Sequence, residues 1–500
     1  MSDVSLFSSF SLPNNIVADI HRMNPWWQGQ ALPVLPSTKR HLIDQIKRRL
    51  SQRLAPIIVV RGPRQIGKTT AQLQLIEDFL RKDTPSSHIF RLQFDELPGI
   101  LKLEESILRL VDWYEKVILK KSLNDAAQEK EAVYLFLDEV QNLDDWATQL
   151  KSLVDHSTVQ VIVTGSSALR IERGRDSLAG RINTIEAGVL SLTEIAKFYE
   201  IDLGKPFLKD NGLEPLTKKD FWIELRNHGK QIYQERDTVF KKFSERGAYP
   251  LAHLRKDVPW EQIADQLNET VVKRVIQHDL RVGEKGRKRD ASLLEEVFRL
   301  SCRYAGQSPS LQTFVRETQR ALNANIGSQK IRHYMRFLGD TLLLKLIEPL
   351  EIRLKKKRGA PKICLADHGL RASWLQEQIP LDAESLEKNP HLTSLAGHLA
   401  ESIVGSILST IGGLDLAYFP ERSEEPEVDF VLTIGEKRIP LEVKYQKTID
   451  ALRDTEGLRT FLEKSVNRAP FALLITQTDE ERVDDPRMIT LPLSSLMLLR

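Results

Sequence analysis

Cys302 and Cys364 are the only cysteines in 500 residues. Neither stands in a CxxC or Cys/His spacing, so neither a disulfide scaffold nor a zinc ribbon is expected and the two read as buried free thiols. No apolar run approaches the roughly 20 residues of a membrane span. The start, "MSDVSLFSSFSLPNNIVADI", lacks the basic segment, apolar stretch and small-residue cleavage site of a secretory signal. The expected location is cytoplasmic, with no membrane partner. There is no repeat and no low-complexity tract. An excess of one charge is missing as well: 72 Lys+Arg against 69 Asp+Glu leave +3, which supplies no global argument for nucleic acid. Positive charge is instead local, in "VVKRVIQHDLRVGEKGRKRD" (271–290) and "RLKKKRG" (353–359), and "ERSEEPEVD" (421–429) offsets it. His278, His368 and His398 share no spacing and read as structural histidines rather than zinc ligands.

What is present is modular. A chain of this length exceeds one hydrophobic core and predicts about three or four units. Residues 1–40 form an N-terminal extension whose "NPWW" (24–27) either packs on the core or meets a partner. Over 41–200, "PIIVV", "HIFRLQF", "VYLFLD", "VQVIVTGS" and "NTIEAGVL" alternate with amphipathic stretches. That is the pattern of an α/β domain with a parallel sheet wrapped by helices. Residues 201–285 are polar and helical, a lid or connector. Residues 286–378 read as helix, helix, helix and β-hairpin, the order of a winged helix-turn-helix. "IPLDAESLEKNP" (379–390) is a polar, proline-bounded linker, and 385–500 form a C-terminal α/β unit.

"RGPRQIGKTT" carries the strongest signal. Gly62, Gly67, Lys68 and Thr69 fit G-x-x-x-x-G-K-[ST], with a strand before and a helix after. The loop Gly62, Pro63, Arg64, Gln65, Ile66, Gly67, Lys68, Thr69 and Thr70 brings backbone amides and a helix N-terminus to phosphate oxygens. Lys68 reaches the β- and γ-phosphates and the Thr69 hydroxyl lies on Mg²⁺. Such a loop requires a second, acidic strand end, and "VYLFLDEV" supplies one. Asp138 is the metal-holding carboxylate and Glu139 the base that polarises water; standing alone, the pair would read as a helix cap. In "VIVTGSS", Thr164 or Ser166 is a candidate γ-phosphate sensor.

In "EVDFVLTIGEKRIPLEVKY", alternation and the turn IGEK bring Asp429 near Glu442 and Lys444. Two carboxylates that gather Mg²⁺ or Mn²⁺ and a lysine that acts on water or the phosphate follow the PD-(D/E)xK nuclease pattern. An exposed salt-bridged edge, or a nuclease fold retained as a DNA-holding platform, remains the alternative. Upstream, Ile331, Tyr334 and Phe337 form the inward stripe of a helix. Gln329, Lys330, Arg332, His333 and Arg336 face outward, with Lys355, Lys356, Lys357 and Arg358 as a wing. DNA is the expected partner of that face, and protein packing is the alternative.

Together, "RGPRQIGKTT", "LFLDEVQNL", "VIVTGSSA", "SLAGRI" with "LSLTEI", "RGAYP", "PKICLADHGL" and "EVDFVL…PLEVK" resemble the AAA+ type P-loop ATPases of bacteria and archaea that carry a C-terminal nuclease-like domain. The resemblance runs over most of 40–450. It implies ATP hydrolysis, a homo-oligomeric ring with a hexamer among the candidates, an arginine finger at Arg175 or Arg181, and Glu401 as the helix carboxylate that completes the metal site. The expected function is ATP-driven binding and remodelling of DNA, branched or single-stranded, with metal-dependent cleavage. A nucleotide-dependent switch with a silent nuclease fold and a protein-remodelling ATPase are the alternatives.

Overall fold

The computed structural model describes residues 12–96, 99, 104–165, 176–209, 212–276, 291–351, 359–421, 425–480 and 483–500. The chain divides into two compact units, Met1–Gly62 with Gly67–Ala187, and Gly188–Arg500, to which Pro63–Ile66 are assigned.

The first unit is built on five parallel strands: β1 (Ile57–Arg61), β2 (Ile89–Gln93), β3 (Tyr134–Asp138), β4 (Gln160–Gly165) and β5 (Ile182–Glu186), in the order β2-β3-β4-β1-β5. These are the five apolar runs of the sequence. Ile57, Ile58, Val59 and Val60 are all buried, as strands covered on both faces must be. Because β4 lies between β1 and β3, the C-terminal ends of these three strands are adjacent, the position at which open α/β sheets bind ligands.

The N-terminal segment belongs to this core. Leu12, Ile16, Ile20 and Met23 join the same apolar cluster as Phe90, Tyr114 and Trp113. β2 is an edge strand, and side chains of "NPWW" cover its free backbone. Asn24 Nδ2 donates to Arg91 O at 2.8 Å, Arg91 N donates to Asn24 Oδ1 at 2.7 Å, and the indoles of Trp26 and Trp27 donate to Ile89 O at 3.1 and 3.0 Å. Of the two readings of this motif, packing on the core is the one observed. It protects an edge that would otherwise template pairing.

The second unit starts with helix Leu192–Phe198, followed by helices Lys219–Gln231, Tyr233–Arg246, Pro250–Leu254 and Trp260–Leu267. Helices Ala291–Arg303, Leu311–Leu322 and Ser328–Asp340 follow, then the antiparallel pair β6 (Leu344–Ile347) and β7 (Lys362–Leu365). Next come the long helix Thr393–Ser409 and a mixed sheet of β8 (Asp415–Phe419), β9 (Val428–Ile434), β10 (Lys437–Lys444), β11 (Ala472–Thr476) and β12 (Met488–Pro492), in the order β12-β11-β10-β9-β8. β8–β9–β10 are antiparallel, whereas β10–β11–β12 are parallel. β12 is not legible in the sequence; its alternation of apolar and polar residues is short.

The β6–β7 pair is a separate two-stranded sheet, linked to the mixed sheet by a bridge at Pro349 and Tyr418. Leu350 N donates to Tyr418 O at 2.7 Å and Tyr418 N to Glu348 O at 3.1 Å, which adds a segment to the β8 edge. Gly306, at φ 81°, sits where a Cβ would lie 2.0 Å from His398 O, so only glycine permits this approach to the long helix. The run 379–390, expected as a linker, is instead ordered. It contains helix Ala383–Lys388, capped by Asp382 at 3.0 Å from Ser385 N. Ile379, Leu381 and Leu386 are buried; these apolar residues hold the segment down.

Candidate functional site

β1 ends at Arg61 and the next helix starts at Lys68, so Gly62 to Gly67 form a six-residue turn between strand and helix. Gln65 and Gly67 take φ of 61° and 87°. Left-handed residues at these two places turn successive amides toward one side, the concavity that binds anions. Lys68 is buried and its ammonium donates to Gly62 O at 2.9 Å, folding the side chain back over the loop.

The register of β3 and β4 sets Asp138 opposite Thr164. Asp138 is fully buried and accepts from the Thr69 hydroxyl at 2.7 Å and from the Thr164 hydroxyl. Gln72 Nε2 donates to Thr164 Oγ1 at 2.8 Å, and the Arg91 guanidinium lies 3.5 Å from Asp138. One carboxylate is thus fixed by a residue of the phosphate-loop helix, one of β4 and one of β2. Glu139 has φ 51°, which turns it off the strand, and its carboxylate accepts from Gln141 Nε2. Hydroxyl and carboxylate oxygens side by side at Thr69 and Asp138 are the donor set that Mg²⁺ takes, so the residues present fit that ion. Gln72, Arg91 and Gln141 are not legible as site residues in the sequence. The signal for Arg91 is a lone charge inside the apolar run "IFRLQ", which must be paired if buried.

Ser166, Arg175, His278 and Lys355, Lys356, Lys357 and Arg358 lie outside the described residues. Arg181 is held within its own domain. Its Nε lies 2.5 Å from Asp155 Oδ1 and its terminal nitrogen 3.0 Å from Oδ2, at the end of helix Trp146–His156.

At the other candidate centre, Asp429 and Glu442 sit side by side. Asp429 N donates to Glu442 Oε2 at 3.4 Å, Val443 N donates to Asp429 Oδ2 at 2.9 Å, and Lys444 Nζ pairs with Glu442 at 2.9 Å. The predicted neighbours therefore meet. Glu401 meets Asp429 through a residue of "PKICLADHGL" to which the sequence reading assigns no role. Lys362, buried at the start of β7, contacts Asp429 at 2.7 Å and Glu401 at 3.2 Å. Burial opposes charge on this ammonium, but Asp429, Glu401 and Glu427 outweigh it and hold the pKa well above the ordinary lysine value. Burial and the Asp429 charge push Glu442 up to about 8. Burial also raises Glu401, whereas Asp429, for which burial acts in the same sense, is drawn below the usual carboxylate range by Lys362. Among the described residues no three His, Cys, Asp or Glu side chains are placed to hold a metal ion. Of the expected ligand set, Glu401 and Asp429 meet around the Lys362 ammonium, while Glu442 pairs with Lys444.

On the helix Ser328–Asp340, Ile331, Tyr334 and Phe337 are buried, while Gln329, Lys330, Arg332, His333 and Arg336 are exposed. His368 is buried, with Nε2 3.2 Å from Ser244 O. His398 lies 3.8 Å from Glu401.

Comparison with known proteins agrees with the first site. An AAA domain family matches residues 54–196, and two domains of unknown function, DUF8612 and DUF4143, match 238–380 and 396–496. An uncharacterized protein of Methanocaldococcus jannaschii is 23% identical over 62% of this chain and 61% of its own length. One of Haemophilus influenzae is 23% identical over 63% of this chain and 68% of its own. The chain thus spans about 61% of the archaeal relative. Among solved structures, a Walker-type ATPase of Pyrococcus abyssi aligns at 14% identity and TM-score 0.37, covering 69% of this chain and 99% of that one. Cdc6p from Pyrobaculum aerophilum aligns at 14% identity and TM-score 0.26, covering 71% and 97%. No helix among the described residues is long and apolar enough to cross a membrane. The matched AAA domain, the phosphate loop and the Asp138 strand end together make the N-terminal part of this chain a P-loop ATPase domain of the AAA type.

Proposed function

We propose that the chain is an ATP-hydrolysing switch or motor that engages DNA and works as a homo-oligomer in the cytoplasm. The observation that carries the ATPase half is Asp138, buried and held by Thr69 and Thr164 beside the loop that ends at Lys68. In this reading the amides of 62–70 and the Lys68 ammonium hold the β- and γ-phosphates of ATP. Thr69 and Asp138 hold Mg²⁺, which would neutralise phosphate charge. Glu139, steadied by Gln141, accepts a proton from the attacking water. Thr164, hydrogen-bonded to both Gln72 and Asp138, relates the metal-side carboxylate to the β4 end, and either it or Ser166 serves as the γ-phosphate sensor. An arginine finger from Arg181 requires release from Asp155; Arg175 has the same role by position.

DNA is assigned to the exposed face Gln329, Lys330, Arg332, His333 and Arg336 of a three-helix and hairpin module with winged-helix order. Lys355, Lys356, Lys357 and Arg358 supply phosphate contacts from the wing. Binding to that face should weaken with salt, with a log–log slope of about one unit for each phosphate that the basic side chains neutralise. ATPase turnover measured with and without duplex, single-stranded and branched DNA tests the reading. Stimulation that disappears in Arg332→Ala/Arg336→Ala supports it, and identical rates with no salt-sensitive binding refute the DNA half.

For the C-terminal domain, one observation favours the second reading, a nuclease-like fold that holds rather than cuts. Lys362 is engaged with the carboxylates that cleavage would use.

A further inference from the structure

Strand β7 is buried at all four positions, and its first residue is the single charge in it. The Lys362 ammonium meets Asp429 Oδ1 at 2.7 Å, Glu401 Oε2 at 3.2 Å and Glu427 Oε1 at 3.2 Å, and lies 5.2 Å from the centre of the Phe430 ring. The three carboxylates come from the long helix, from β9 and from the residue just before β9, so a side chain of the hairpin joins elements far apart in sequence. A lysine buried to 1% exposure of its side chain persists only when its charge is compensated, and three carboxylates do that.

Three neighbouring carboxylate oxygens are engaged as well. Asp429 Oδ2 takes the Val443 amide at 2.9 Å, Glu442 Oε2 takes the Asp429 amide at 3.4 Å, and Glu442 Oε1 takes Lys444 at 2.9 Å. Mg²⁺ demands near-octahedral oxygen ligation at about 2.1 Å. Here both oxygens of Asp429 and both of Glu442 already accept from nitrogen donors, and a unit of positive charge stands among Asp429, Glu401 and Glu427. The nuclease pattern and the fold agree on the carboxylates, but the residues present do not fit the metal that the pattern implies.

We propose that Lys362 is the resident cation of this cluster: it stands in for a divalent ion, keeps the C-terminal domain metal-free and inert toward the phosphodiester bond, and ties the β6–β7 hairpin to the mixed sheet. Removing its charge while preserving its length converts the cluster into a divalent-cation site, because Asp429, Glu401 and Glu427 then lack compensation. The inference rests on the nuclease-like reading of the C-terminal sheet but is independent of DNA binding.

Mn²⁺ titrated into the full chain without nucleotide, followed by the paramagnetic signal of the free ion and by thermal melts, tests it. The wild type should bind no Mn²⁺ that Asp429→Asn abolishes, and any response of its Tm to Mn²⁺ or EDTA should be the same in Asp429→Asn. Lys362→Met should gain one Mn²⁺ per chain, with a Tm raised by the ion as linkage requires. Both effects should vanish in Lys362→Met/Asp429→Asn, and Lys362→Arg should behave as the wild type. An Asp429-dependent Mn²⁺ already bound by the wild type overturns the proposal, as does a folded Lys362→Met that gains none. If Lys362→Met does not fold, the wild-type and Asp429→Asn titrations decide alone. None of these readouts involves ATP turnover or DNA, so a failure here is separable from failure of the DNA reading.

Discussion

At the scale of single residues, the proposed ATPase reading divides the labour among Lys68, Asp138 and Glu139, and on that reading their replacement should separate binding from chemistry. Lys68→Ala removes the cation that meets the β- and γ-phosphates, and turnover should fall roughly 10²-fold or more, with ATP affinity weakened in calorimetry. Glu139→Gln should keep shape and nucleotide binding but remove the proposed proton acceptor. Its turnover should drop by about 10²–10⁴-fold while ATP still binds, seen as a trapped nucleotide in single-turnover assays. In the second unit, His253 is a buried neutral imidazole. Nε2 meets Gly247 O at 2.9 Å and Nδ1 the Tyr199 hydroxyl at 3.2 Å. Burial chiefly lowers its pKa from 6.5 to about 4, against the pull of the Gly247 carbonyl. The unfolded chain therefore takes up this proton at a higher pH than the folded one. The stability linked to neutral His253 is complete above pH 6.5 and is lost as pH falls toward 4, by as much as ~3 kcal/mol. Urea denaturation at pH 5 and at pH 7.5 should show this loss, and His253→Gln should flatten it.

At the scale of elements, backbone pairing and close approach decide more than propensity does. β2 has its free edge covered by the side chain of Asn24, which both donates to and accepts from Arg91. Asn24→Ala leaves a buried amide and a carbonyl short of partners. It should cost about 1–3 kcal/mol, measurable as a lower urea midpoint at unchanged slope. Gly306 sits where a helix turn meets His398 O, and its own amide donates to Ile363 O at 2.7 Å. Gly306→Ala adds a Cβ that has nowhere to go and a left-handed backbone that an L side chain disfavours. Overpacking alone typically costs about 1–3 kcal/mol, and a drop in Tm of the full chain should exceed that of Gly435→Ala, where a Cβ meets nothing within 4 Å. Secondary structure is largely readable at this scale. The five β-rich runs of the first unit hold its five parallel strands, because apolar residues dominate β1, β3 and β4 and punctuate β2 and β5. The docked helix Ala383–Lys388 is not readable, since its polar residues and flanking prolines match a linker, and what holds it is the burial of three apolar side chains.

At the scale of the whole molecule, the two candidate centres differ in how much of each is legible. The phosphate loop is local, six residues between a strand and a helix, so its chemistry can be read from spacing alone. Asp138 is legible as the end of an apolar strand, and Asp429, Glu442 and Lys444 as members of one hairpin, because period-two alternation dictates which side chains share a face. An α/β ATPase domain, its nucleotide loop and an adjacent pair of C-terminal carboxylates therefore follow from residue order and spacing. Their surroundings emerge only when the chain is packed in three dimensions. Arg91 and Gln72 reach Asp138 and Thr164 across strand and helix boundaries, Asp155 holds Arg181, and Lys362 arrives at Asp429 from a hairpin 67 residues away. Charges buried together must neutralise one another wherever in the chain they come from, and no local pattern records that partnership.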